Sequence, residues 1–187
     1  MDLANGEADL DLDGRISSKR ERLGADGKTY PIGFLRVSYN PTNGNAVGGI
    51  LVTDNTGIPL EYMITTAVRP TKAQQILYGS RLRSYVAVNL CGKQLLEDVK
   101  TKPRVVFVRE SGMLTLATLT DIPVLFLEQG EAVGSTPGRP TVVPPSDKPE
   151  YADVVDLTSL DPDMLDAFDR IEKCREVLAL KNDEYKI

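Results

Sequence analysis

Two groups of carboxylates carry most of the chemistry this sequence could do. The first is Asp9, Asp11 and Asp13 in DLDLDG, and the second is Glu97, Asp98 and Glu110. Alternate acids followed by a glycine can wrap a hard cation, because Ca²⁺ and Mg²⁺ take oxygen ligands. Asp9, Asp11, Asp13, Gly14 and Ile16 fit positions 1, 3, 5, 6 and 8 of a twelve-residue calcium loop. The closing bidentate acid is missing, because that place falls on Arg20. The first fourteen residues hold five acids and no base, so they read as an acidic, mostly disordered arm extending over residues 1–30.

The chain of 187 residues contains no histidine. Ser-His-Asp and Cys-His catalysis are therefore excluded within it, and the commonest transition-metal ligand is missing. Cys91 and Cys174 stand too far apart in sequence for a metal-binding pair or a disulfide framework. They suit a reduced, cytoplasmic protein. Nothing calls for a cofactor, and no apolar run is long enough to span a membrane.

Charge is unevenly placed around a net of −5. Residues 69–104 carry eight bases against Glu97 and Asp98, a net of +6, and residues 146–187 carry a net of −6. The basic stretch, with Arg81 and Arg83 near its centre, could meet nucleic-acid phosphates. The acidity of the whole chain favours an acidic protein surface instead.

These residues must be positioned by a domain at 31–128. IGFLRVSY (32–39) and VGGILVTD (47–54) read as strands joined by NPTNGN, and Gly48-Gly49 signals a bulge or a close backbone approach. Asp54 to Gly57 fits a turn with a left-handed glycine. PLEYMITTAV (59–68) is a third strand. Thr71 and Gln74 form a capping box, whose hydroxyl contributes roughly 1 kcal/mol. A helical region runs from there to about Lys100, with Gly79 and Gly92 as dividers. RVVFV (104–108) and PVLFL (123–127) are continuous apolar runs, as in strands buried on both faces. Parallel neighbours need a crossover of a dozen or more residues. Residues 109–122 supply one, with a short helix around Met113–Leu119; a meander turning at Ser111-Gly112 is the other reading.

The fold class is thus α/β, or α+β if the second half is a meander. Three antiparallel strands, a helical segment and strand–crossover–strand resemble the ribonuclease H-like element order. With the meander, the order resembles roadblock/longin and PAS-like modules. The ribonuclease H-like resemblance implies carboxylates on the first strand, the first helix and the end of the fourth strand, holding two divalent metals. Glu97, Asp98 and Glu110 are offered for it, but the first strand has no acid.

Residues 129–150, rich in Pro, Gly and Ser, read as a linker. Beyond it, ADVVDLTSL (152–160), with Val154, Val155 and Leu157, is similar to short hydrophobic motifs that add a strand to ubiquitin-like partners. Asp161 and Pro162 then open an amphipathic helix with Met164, Phe168, Ile171, Cys174 and Leu178 on one stripe. That stripe is the expected docking surface for one or more proteins. The resulting expectation is a non-catalytic interaction subunit, an adaptor in an intracellular bacterial complex. The alternatives are a metal-dependent, nuclease-like protein of ribonuclease H fold or a degenerate relative of one, and a small-ligand sensing module.

Overall fold

The chain's computed structural model describes residues 29–40, 45–133, 136–154, 164 and 166–184. Asp9, Asp11, Asp13, Val155 and Leu157 lie outside them.

Strand β1 (Ile32–Tyr39) pairs antiparallel with β2 (Ala46–Thr53), which pairs antiparallel with β3 (Pro59–Ile64). On its other side β1 pairs in parallel with β4 (Val105–Val108). Next to β4 comes β5 (Val124–Val133), also parallel, and β6 (Thr136–Val143) closes the sheet antiparallel to β5. The order is β3-β2-β1-β4-β5-β6. The molecule is therefore α/β, and the parallel β1–β4 and β4–β5 pairs select the ribonuclease H-like alternative over the meander. The β4–β5 crossover is a 3₁₀ segment, Ser111–Thr118, which buries Met113, Leu116 and Ala117.

The local signals have identifiable causes. Gly57 takes φ +88, and the Asp54 carboxylate accepts from the Thr56 and Ile58 amides, which closes the turn before β3. Thr71 Oγ1 accepts from the Gln74 amide and the Gln74 side chain accepts from the Thr71 amide, so the capping box forms. It opens α1 (Lys72–Tyr78), which ends at Gly79 with φ +51. The helix resumes as α2 (Leu82–Tyr85), passes through a π-helical stretch Val86–Gly92, and ends as α3 (Lys93–Asp98). Gly92 does not divide it. A Cβ there would stand 2.8 Å from Leu116, so this glycine serves close packing against the crossover.

Helices cover both faces of the sheet. A Cβ on Gly48 would meet Cys91 at 2.8 Å and one on Gly49 would meet Ile171 at 2.7 Å. Adjacent residues of a strand face opposite ways. The helical segment 72–98 therefore lies on one face and α4 (Ala167–Glu184) on the other. Of the two readings of Gly48-Gly49, close approach is the one found. The strand irregularity falls between Val52 and Thr53.

Two segments differ from their compositional reading. Residues 129–150 contain the end of β5, all of β6 and the start of a 3₁₀ turn, Pro149–Val154. Glycines and prolines suggested a linker, but the apolar TVV segment pairs with Phe126 to Glu128, where a sheet edge was available. Tyr151 and Val154 are buried, so the start of ADVVDLTSL packs on the domain as a turn. Lys148 Nζ donates to the Ala117 carbonyl at 2.6 Å and fixes this segment to the crossover.

Met164, Phe168 and Ile171 are likewise buried against the chain's own sheet. Phe168 stands edge-on to Phe34 at 5.4 Å between centroids, and Phe34 packs on Phe107 at 5.7 Å. Such pairs add about 0.5–1.5 kcal/mol to the area they bury. Leu178 lies within α4. Removing a buried phenyl ring costs about 3–5 kcal/mol. Phe168→Ala is expected to lower stability by that amount in urea denaturation, whereas the exposed Val177→Ala changes it by less than about 0.5 kcal/mol.

Candidate functional site

β1 has eight residues and β4 has four, and the two pair from Ile32 opposite Val105 to Leu35 opposite Val108. Past that point β4 turns away and β1 continues. The gap is a cleft of about 410 Å³ lined by Leu35, Arg36, Val37, Arg109, Glu110, Met113 and Asp169. Open α/β sheets take ligands in such crevices, outside the carboxyl ends of their strands.

Arg36 and Arg109 meet here for reasons of register. Phe34 opposes Phe107, so two residues further along each strand Arg36 and Arg109 emerge on the same face, beneath α4. Arg36 Nη1 lies 3.9 Å from Asp169 and its Nε lies 3.6 Å from Glu172. Arg109 sets its guanidinium 4.9 Å above the Phe168 ring. Its Nε is buried and has no hydrogen-bond partner among the described residues. Burial pulls the Arg109 pKa down, the charge of Asp169 opposes this, and the charge of Arg36 adds to the lowering.

The rim belongs to the other face. Arg83 Nη2 approaches Glu110 at 3.7 Å, and the Arg83 guanidinium lies 4.4 Å from the Tyr39 ring centre. The Tyr39 hydroxyl donates to the Arg83 carbonyl at 2.6 Å. Burial first, and the nearby Glu110 second, push the Tyr39 pKa up to about 12. Arg83 thus reaches the cleft edge, whereas Arg81 is exposed on the helical segment. Tyr78 and Tyr85 stack at 4.2 Å between them.

Glu97, Asp98 and Glu110 are the acids that the ribonuclease H-like resemblance would call on. Glu97 and Asp98 are exposed at the end of α3, where Glu97 pairs with Lys93 at 3.7 Å. Glu110 lies at the cleft without them. Among the described residues no group of three or more histidines, cysteines or acids could hold a metal ion. Among the described residues the donor set does not fit the two-metal centre that the resemblance implies, because guanidiniums stand on β1 and after the end of β4. Cys91 is buried and Cys174 exposed, both as free thiols. Among the described residues no helix is long and apolar enough to cross a membrane.

Arg36 and Arg109 were not singled out from the sequence. A signal existed in each case: one charged residue inside an otherwise apolar strand, and another directly after VVFV. Long charged side chains at such places must find a partner or an opening.

No protein-family model and no curated protein matches the chain. Several solved structures do. One is Ciona intestinalis endonuclease V in complex with a 24mer DNA containing an inosine followed by a ribo-adenosine. It is 20% identical over 58% of this chain and 49% of that one, with a TM-score of 0.38. Another is the catalytic domain of human endonuclease V, 17% identical over 62% of this chain and 51% of that one, with a TM-score of 0.45. The chain spans about half the length of these structures. The expectation of a non-catalytic adaptor, not an enzyme, is corrected on this finding: the similar structures are nucleases. That expectation rested on a histidine-free chain and an acid-free first strand, the strand along which the cleft opens.

Glu172 ties α4 to the cleft. It accepts from Ser38 Oγ at 2.7 Å and from Arg175 Nη2. Its burial acts to raise the pKa, but the hydrogen bonds from Arg175 and Ser38 and the charges of Arg175 and Arg36 outweigh it, and the pKa is lowered. A carboxylate with a lowered folded-state pKa stabilises fully above its unfolded value, here 4.5, and the contribution fades as pH falls through the folded value. Stability measured by urea midpoints from about pH 6 to about pH 3 should therefore fall, and Glu172→Gln should fall less steeply over that range.

Proposed function

We propose that this chain is a nucleic-acid-binding relative of the ribonuclease H-like nucleases. The observation that carries this reading is the arginine-lined cleft at the carboxyl ends of β1 and β4, with Arg83 on its rim. It stands at the first strand and the end of the fourth, two of the places where the resemblance drawn from element order implies metal-holding carboxylates. The basic segment supports it as well. Arg69, Lys72, Arg81, Arg83, Lys93, Lys100, Lys102 and Arg104 all expose their side chains. Exposed lysines and arginines neutralise phosphates and release counterions, which needs no base-specific contact. The pairing of Tyr78 with Tyr85 close to this charge offers an aromatic surface of the sort on which bases stack. The acidity of the chain as a whole does not count against this, because it resides chiefly in residues 1–14 and 146–187.

Fluorescence anisotropy with labelled single-stranded and duplex DNA and RNA tests the reading. Binding is expected at low salt, falling steeply between about 50 and 200 mM. Arg81→Glu combined with Arg83→Glu should weaken it by about tenfold or more. EDTA should leave it unchanged, because the carboxylates around the cleft do not form a metal centre. Absence of binding at low salt, or an affinity indifferent to salt and to the double substitution, would overturn the proposal.

A further inference from the structure

We infer that the strand-end cleft binds a phosphate-type oxyanion directly on Arg36 and Arg109, with no bridging metal, and that Asp169 of α4 occupies the oxyanion's place until it is displaced. The source of the phosphate rests on the nucleic-acid reading above; the chemistry of the site does not.

The argument starts from donors that are not used. A guanidinium has five N–H groups in a planar fork that fits two oxygens of a phosphate or carboxylate. Arg36 approaches its two acids at 3.6 and 3.9 Å, beyond hydrogen-bonding distance, so its fork is spent on neither. Arg109 has an aromatic ring beneath it and no acid within ion-pairing distance among the described residues. Its buried Nε–H lacks an acceptor among the described residues. A buried donor without a partner is destabilising, a charged one more so, and the site favours whatever brings an acceptor.

The local charges point the same way. Arg83 approaches Glu110 at 3.7 Å, and Glu172 is hydrogen-bonded by Arg175 and Ser38. Arg36 faces Asp169 and, at 3.6 Å, Glu172, and the charge of Asp169 also acts on Arg109, in a cleft of about 410 Å³. Asp169 is 69% exposed and meets Arg36 at 3.9 Å, which makes it a weak, replaceable counterion. A phosphate carries more negative charge than a single carboxylate and offers oxygens to both forks. Charge-assisted bonds of this kind are about twice as strong as neutral ones. Two like-charged guanidiniums sharing one opening repel, and an oxyanion between them removes that repulsion. The cleft, at about 410 Å³, is larger than a bare phosphate.

The test uses the full chain, with inorganic phosphate as the probe in isothermal titration calorimetry and ³¹P line broadening. Binding is expected in the presence of EDTA. Arg109→Gln, which replaces the guanidinium with a shorter neutral amide, should weaken it by about tenfold or more. Asp169→Asn should tighten it severalfold, because it removes the internal competitor. That substitution lies on an exposed position, so it reads the site even if Arg109→Gln fails to fold. Absence of phosphate binding overturns the inference, as does binding that requires Mg²⁺ or Mn²⁺, or an Asp169→Asn variant no tighter than the parent. An oligothymidylate competition arm separates the two proposals. Phosphate bound and displaced by the oligonucleotide supports both. Phosphate bound while no oligonucleotide binds overturns the nucleic-acid reading alone. Oligonucleotide binding that ignores both Arg109→Gln and Asp169→Asn and does not compete with bound phosphate supports the oxyanion site and overturns the cleft as the nucleic-acid site.

Discussion

β1 is twice as long as the neighbour it pairs with in parallel. Four residues of β1 are locked between β2 and β4, and the next four have β2 on one side and a cleft on the other. The rest of the site depends on that mismatch. It sets two arginines on one face, it leaves room for α4 to reach across with Asp169 and Glu172, and it brings the helical segment to the rim through Arg83 and Glu110. If β4 continued by two more residues, Arg36 would lose its opening and Arg109 would be a ladder residue.

The apolar contacts beneath the cleft and the charges within it make different demands on α4. Phe168, Met164 and Ile171 bind the helix to the sheet through buried area, which is insensitive to salt and to small changes in charge. Asp169, one residue from Phe168, sits at the edge of the cleft and is mostly exposed. A single turn of helix therefore combines a fixed anchor with an adjustable counterion. The same Phe168 ring that anchors α4 also lies under the guanidinium of Arg109. Cation and ring attract, so the position of the helix and the orientation of the arginine are linked.

Much of the scaffold was legible because it is written in local signals. The Asp54–Gly57 turn, the Thr71–Gln74 cap, the Gly79 stop and the apolar runs around Val106 and Leu125 each depend on a few consecutive residues. The crossover was legible through chain length, since residues 109–122 suffice for a parallel connection. What was not legible depends on register between distant segments. Nothing near Arg36 in sequence states that Arg109 will stand beside it, because that follows from Phe34 opposing Phe107. The Pro/Gly-rich segment hid β6 for the same reason: its pairing with β5 comes from a neighbour's open edge, while its composition argues for a loop. Of the stripe read from the sequence, Met164, Phe168 and Ile171 are buried and Cys174 is exposed, and amphipathicity does not say whose surface a helix covers. Here Phe34, Phe107 and Gly49 supply that surface.

The hydrogen bond between Ser38 and Glu172 joins residues 134 apart in the chain. Its consequence is kinetic. The antiparallel meander β1–β2–β3 needs only short loops, but the face of Phe34, Leu51 and Phe107 stays uncovered until α4 closes over it. Contacts of such sequence separation form slowly, because the entropy of closing the intervening chain is lost before the contact rewards it. During that interval the apolar side of the central strands is open to other chains, which is the condition under which folding competes with aggregation. Conditions that speed the docking of α4, such as stabilising its helix, therefore act on the yield of folded protein as well as on the final stability.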